Sequence, residues 1–195
     1  MSSLMQVKIR NQIGASIAVK QSVLSDQKIV DQIESLANLC LQSLHSGGKI
    51  IFAGNGGSFA DAQHLSAEFT SRFLFDRAPL ASLALGTNNS AISAIGNDYG
   101  YDKVFARELV GIAKPGDVFI PITTSGNSAN IVAAVAAAKE MNIATVVLTG
   151  QGGGKIRALC ECICVPSTET ACIQECHIMV GHILCGLVEA EYFKK

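Results

Sequence analysis

The period of the apolar positions changes near Gly47-Gly48. Before that point Ile29, Ile33, Leu36, Leu39, Cys40 and Leu44 recur three or four residues apart, which is the spacing of one face of a helix. The stretch to about His45 therefore reads as two helices, and it carries no chemical motif. Beyond it come five short, mostly apolar runs: Lys49–Ala53, Leu80–Leu85, Asp117–Ile122, Ile143–Leu148 and Glu161–Val165. Each ends near Gly, Pro, Ser, Thr or Asn. Helical patterns separate them over 58–73, 89–96 with 102–113, and 128–141, and a last helix begins near Thr170. Apolar runs alternating with helices specify a parallel sheet covered on both faces. The expected fold class is α/β, a three-layer αβα sandwich on a five-stranded parallel sheet. Ligands of such sheets bind beyond the carboxyl ends of the strands, where the winding reverses.

The chain has 195 residues, enough for one domain over 1–195, with about 1–46 as a helical oligomerisation segment. Hydrophobic residues at 49% against charged residues at 16% exclude a disordered chain. A net charge of -1 and a pI of 6.4 provide no general attraction to nucleic acid or anionic lipid, so no nucleic-acid partner is expected. No membrane partner is expected either: the longest apolar stretch, Ile131–Leu148, is interrupted by Lys139, Glu140 and Asn142 and falls short of the roughly 20 residues a span needs. Seven cysteines form an odd set, and Met1 to Gln12 contains no apolar signal segment. Free thiols in a reducing cytoplasm follow. Cys160, Cys162 and Cys164 alternate along a strand while Cys172, Cys176 and Cys185 lie on the last helix. None makes a zinc-knuckle pair, and core packing is expected.

Four segments carry chemistry. Gly54-Asn-Gly-Gly-Ser58 follows the first strand and opens a helix, where glycines permit close backbone approach and free N–H groups favour an anion. Its spacing matches neither a dinucleotide nor a P-loop fingerprint, and a plain turn with Ser58 as N-cap fits as well. Thr123-Thr-Ser-Gly-Asn-Ser128 repeats the arrangement after the third strand. Its four hydroxyls exceed what one N-cap at Ser128 needs, which favours an anion site. His64 and Glu68, at i and i+4, share one helix face, either as a working pair or as an ordinary surface pair. On the last helix Glu175 and His182 share a face, Gln174 lies on the adjoining flank, and His177 points elsewhere. By spacing alone His182 fits a hydrogen-bonded core histidine. Gly150-Gln-Gly-Gly-Gly154 reads as a flexible turn.

The combination of G-N-G-G-S, D-A-x-H with a Glu four later, T-S-G-N-S, and I-Q-E-x-H-x-x-x-x-H resembles the bacterial phosphoheptose isomerases of the sugar-isomerase (SIS) group over nearly the whole chain. The resemblance implies a flavodoxin-like SIS fold and an aldose–ketose isomerase that converts sedoheptulose 7-phosphate to D-glycero-D-manno-heptose 7-phosphate for lipopolysaccharide or capsule. It implies that Ser58, Thr123, Thr124, Ser125 and Ser128 hold the phosphate. Asn55, Gly56, Gly57, Asn97, Asp98, Glu68 and Gln174 would contact substrate, with Asp98 in the N-D-[FY]-G segment Asn97–Gly100. Glu68 and His182 match the catalytic acid/base pair; His64, Glu68, Gln174 and His182 match the ligands of one zinc per subunit. A cytoplasmic homotetramer with sites shared between subunits is implied as well. Ala171 and Cys172 depart from the family's usual acidic residue and Arg, and Ala67 from a frequent acidic neighbour. The alternative is a non-catalytic SIS protein, binding a phosphosugar or associating with a replication initiator. That group tends to lack the helical Glu, so Glu68 with His182 argues for the enzyme. Additional domains are usual in a third group, the arabinose 5-phosphate isomerases.

Overall fold

A single aspartate divides the N-terminal arm. The Asp26 carboxylate accepts from the backbone N–H of Lys28 and Ile29 and starts α2 (Gln27–His45), while α1 (Leu4–Ser25) opens on a Ser3/Gln6 capping box. The computed structural model describes residues 3–194, so Met1, Ser2 and Lys195 of the expected domain lie outside the described residues. In α2 the expected stripe is realised: Ile29, Ile33, Leu36, Cys40 and Leu44 are buried, and the helix packs on α7 (Thr170–Tyr192). In α1 only Val23 is buried, and Leu4, Met5, Ile9, Ile13 and Ile17 face outward.

Five parallel strands, β1 (Ile50–Gly54), β2 (Ser82–Ala84), β3 (Val118–Thr123), β4 (Ala144–Thr149) and β5 (Glu161–Cys164), lie in the order β2-β1-β3-β4-β5. Period-two alternation divides their side chains between two cores. Ile50, Phe52, Val118, Ile120 and Ile122 join the core under α2, α3 (Gly57–Thr70) and α7, whereas Ile51, Ala53 and Phe119 join the one under α5 (Val104–Ile112) and α6 (Ala129–Glu140). The α/β class, the five strands and the three layers are thus as expected. Between β2 and α5, α4 (Asn89–Tyr99) ends where Gly100 takes φ +86, and a 3-10 turn over Tyr101–Lys103 follows. Although α7 is long and apolar enough by composition to cross a membrane, half of its most apolar window is buried in the chain, including Ile173, Val180, Leu184 and Val188. It is the central helix of the first core.

Two expectations need correction here. Core packing holds for Cys40, Cys176 and Cys185, which are buried, and in part for Cys160 and Cys162, which are half-covered against the core under α5 and α6, whereas Cys164 and Cys172 are only partly covered. Nor is Gly150–Gly154 a free turn. Gly150 N–H donates to Thr124 O at 3.1 Å, Ile156 N–H to Gly126 O at 3.2 Å and Lys155 N–H to the Asn127 side chain at 3.1 Å, so the segment braces the loop after β3.

His177 points away from His182 into the interior, 1% exposed against the Thr149 backbone. Burial lowers its pKa from 6.5 to about 4. A histidine depressed in the folded state stays neutral while the unfolded chain binds a proton. Stability is therefore full above about pH 6.5 and declines as pH falls towards 4, by on the order of 3 kcal/mol. Urea unfolding of His177→Gln across that window should show a correspondingly flatter pH dependence.

Candidate active site

The winding reverses between β1 and β3, where the strand order passes from 2-1 to 3-4-5, and the two marked loops leave the sheet at that crevice. Side chains join them. Asn55 and Asn130 exchange two hydrogen bonds of 2.9 Å, and the Tyr101 hydroxyl donates to Asn55 Oδ1 at 3.2 Å. Asn55, Gly56 and Tyr101 help line a cavity of about 210 Å³. Ser58 is not the N-cap. Gly56, at φ +56, takes that position without a side-chain bond, and Ser58 is inside the first turn and buried. In the second loop Ser128 does cap α6 by position, yet its hydroxyl makes no cap bond and lies 3.4 Å from Thr123 Oγ1. Ser125 Oγ accepts from Asn127 N–H at 3.1 Å, holding the loop's curve.

Beside these loops α3 and α7 meet closely, since Gly181 leaves no side chain where Leu65 packs. His182 follows directly. Its Nε2 lies 2.9 Å from His64 Nε2, and His64 Nε2 lies 3.2 Å from Glu68 Oε1, so one imidazole donates and the other accepts. Potential ligand atoms of all three residues fall within 4.8 Å of one another. Two imidazole nitrogens and a carboxylate oxygen are a donor set that suits a borderline divalent ion such as zinc. Gln174, two turns earlier on α7, rests its carboxamide over Gly57, where an added Cβ would stand 2.8 Å from Nε2. Gly57→Ala should thus displace that carboxamide. The expected result is a fall in kcat/KM of about tenfold with the melting temperature unchanged, read by steady-state kinetics and calorimetry.

Not every candidate converges. Asn97 and Asp98 are exposed on α4, bonded to each other at 2.8 Å, and line a shallow hollow with Asn89 and Ser93. Glu175 turns outward to Lys20 at 2.8 Å and to Ser16, away from His182. Other residues enter without having been singled out. Asp61, one turn before His64, has its carboxyl raised by burial against the opposing pull of His64 and His182. The helical-neighbour rule that pairs His64 with Glu68 at i, i+4 would have found it at i, i+3. The Phe73 ring stacks against His182 at 5.6 Å. Arg77 holds the end of α3, donating to Glu68 O at 2.8 Å and Phe69 O at 2.7 Å while pairing with Glu189 of α7 at 2.8 Å.

A parallel sheet with hydroxyl-rich and glycine-rich turns at its switch point, and acid/base groups beside them, defines the SIS class of sugar-phosphate proteins; the family profile described as SIS domain matches residues 15–150. The phosphoheptose isomerase of Aneurinibacillus thermoaerophilus is 51% identical over 95% of this chain and 94% of its own, and that of Sulfurimonas denitrificans 46% identical over 97% of each. Among solved structures, the phosphoheptose isomerase of Neisseria gonorrhoeae superposes with a TM-score of 0.88 at 42% identity, covering 95% of this chain and 99% of that one. That of Francisella tularensis gives 0.91 at 33% identity, covering 97% and 99%. The chain belongs to the phosphoheptose isomerase family and is an aldose–ketose isomerase.

Proposed function

We propose that this enzyme interconverts sedoheptulose 7-phosphate and D-glycero-D-manno-heptose 7-phosphate, supplying heptose for lipopolysaccharide or capsule. The observation that carries the proposal is the convergence of His64, Glu68 and His182 beside the two loops. The phosphate is assigned to the hydroxyls of Ser58, Thr123, Thr124, Ser125 and Ser128 and to the N–H groups opening α3 and α6, where the helix dipoles favour an anion. No basic side chain is required for that. Asn55, held by Asn130 and Tyr101, is assigned to the sugar with Gly56, Gly57 and Gln174. Asn97 and Asp98 are assigned to it as well; their outward position suits a site completed by a neighbouring subunit.

Isomerisation moves a proton between C1 and C2 through an enediolate, so it needs a base at carbon and control of the hydroxyl protons. Glu68 is assigned the carbon proton. Its Oε1 faces His64, so Oε2 is the oxygen assigned to the substrate. His182 opens the sugar ring and carries the proton between the two oxygens, its ring oriented by Phe73 and His64. His64, Glu68, Gln174 and His182 would hold one zinc ion per subunit. When bound, zinc supplies Lewis-acid neutralisation of negative charge on the sugar oxygens. The outward apolar face of α1 and a groove of about 630 Å³ between α1, α2 and α7 support a homotetramer. A cytoplasmic site agrees with seven unpaired thiols.

The test is conversion of sedoheptulose 7-phosphate followed by proton NMR, before and after dialysis against EDTA. Turnover in the zinc-replete sample, a fall of at least about tenfold after chelation and recovery on adding zinc are expected. A zinc-replete sample that leaves the substrate unchanged refutes the assigned reaction, and monomers in light scattering refute the shared site.

A further inference from the structure

On the far edge of the sheet, away from the loops after β1 and β3, three thiols stand on one side of the last strand. Cys160 precedes β5, Cys162 lies within it and Cys164 ends it, so period two gives them a common face. They line a solvent-open cavity of about 310 Å³ with Lys28 and Gln32 of α2 and with Arg157. Gln32 Nε2 donates to Cys162 O at 3.1 Å, fixing the mouth of the cavity against the strand. The thiols lean backward along the chain: Cys162 Sγ approaches Cys160 O at 3.6 Å, and Cys164 Sγ approaches Cys162 O at 3.9 Å. The neighbouring Cys162 thiol, first, and Lys139 more weakly hold the Cys160 thiol below its ordinary range against the opposing effect of burial. Cys160 and Cys162 are thus neighbouring thiols at the margin of the second core that remain reachable from the cavity.

We propose that Cys160 and Cys162 form a two-thiolate binding site for a soft monovalent cation of the copper(I) class, separate from the phosphosugar site. Two sulfurs on either side of such an ion, at bonds of about 2.3 Å, span roughly 4.6 Å. Residues two apart have Cα atoms at most roughly 6.6 Å apart on an extended chain, and Cys160 sits in the bend that leads into β5, so an inward lean of the two side chains reaches that span. A disulfide needs the sulfurs at about 2.05 Å, with Cα atoms usually 5.5–6 Å apart, and would strain the strand. Charge points the same way. Two thiolates and one monovalent cation leave a single negative charge, which Arg157, Lys28 and Lys139 are placed to balance, whereas Glu161 and Asp26 oppose it. Structural zinc takes four ligands, and beyond the thiols this cavity offers only the Asp26 carboxylate, which is engaged by the N–H groups opening α2. Two soft thiolates favour the d10 monocation.

The experiment is an anaerobic titration of zinc-loaded protein with copper(I) buffered by bicinchoninate, comparing wild type with Cys160→Ser, Cys162→Ser and Cys172→Ser. Wild type and Cys172→Ser should each retain about one copper per chain against the chelator, with thiolate-to-copper absorbance in the near ultraviolet. Cys160→Ser and Cys162→Ser should each lose at least about tenfold in copper affinity. All four proteins should isomerise sugar phosphate equally, which shows that each variant is folded. Cys160→Ala provides a second removal of the thiol should the serine disturb the strand. Equal copper retention by Cys162→Ser, or complete surrender of copper by wild type, overturns the proposal, as does a Cys160–Cys162 disulfide in the purified protein that persists under reductant.

Discussion

Glu68→Gln is expected to lower kcat by 10²–10⁴-fold while leaving the fold intact, and His182→Gln to do the same. Glutamine keeps the shape of Glu68 and retains an oxygen that can accept from His64, now at 3.2 Å from Oε1, so what is lost is charge and basicity rather than packing. His182→Gln removes the imidazole that stands between Phe73 and His64 and that can both give and take a proton. Because both residues serve one proton-transfer sequence, the double variant should be little worse than the poorer single one. The assay is steady-state isomerisation of sedoheptulose 7-phosphate, with calorimetry to confirm unchanged melting. Deuterium exchange at C2 in solvent D₂O separates the two roles: Glu68→Gln should abolish it, and His182→Gln should slow it less with substrate supplied in the open-chain form. Activity within about tenfold of wild type in both variants removes the acid/base assignment.

Much of this arrangement was legible in the sequence because it depends on short-range periodicity. The five apolar runs became five strands, and the i, i+4 spacing of His64 and Glu68 became a contact. β2 shrank to Ser82–Ala84, an edge strand with one neighbour, because only three residues reach pairing register with β1. Long-range contacts were less visible. Spacing alone left His182 as a core histidine; it meets His64, 118 residues earlier, only because Gly181 admits Leu65. Asn130, reaching 75 residues back to Asn55, has no local signature at all. The position of Ser58 misled for a physical reason. Gly56 reaches a positive φ that serine rarely adopts, so the cap lies two residues earlier and the hydroxyl moves from the cap into the first turn. Asn97 and Asp98 were recognised through a motif, and within this one chain they face outward.

Arg77→Met is expected to lower stability by about 3–5 kcal/mol, the usual consequence of leaving one member of a buried ion pair behind. Arg77 and Glu189 are 2% and 1% exposed, so the screening that weakens surface pairs is absent. The guanidinium also satisfies the carbonyls of Glu68, Phe69 and Ser71 at the carboxyl end of α3, and Glu189 accepts from the N–H groups of Phe73 and Leu74 at 2.8 and 2.6 Å. Removing Arg77 therefore strands a carboxylate and four carbonyl acceptors, that of Ala78 included, at once. At roughly 2–4 °C per kcal/mol for a domain of this size, melting should fall by about 10 °C. Arg77→Met with Glu189→Gln should recover part of that loss, because glutamine carries no charge and still accepts from one N–H. The pair also ties α3 to α7 directly behind Glu68 and beside the segment bearing Phe73. Even below the melting temperature the Arg77→Met enzyme should lose kcat more than it gains KM, since the shift misplaces proton-transfer groups rather than the phosphate loops. A calorimetric change under about 1 kcal/mol would mean that water has replaced the guanidinium, and the network would then not be what fixes the two helices.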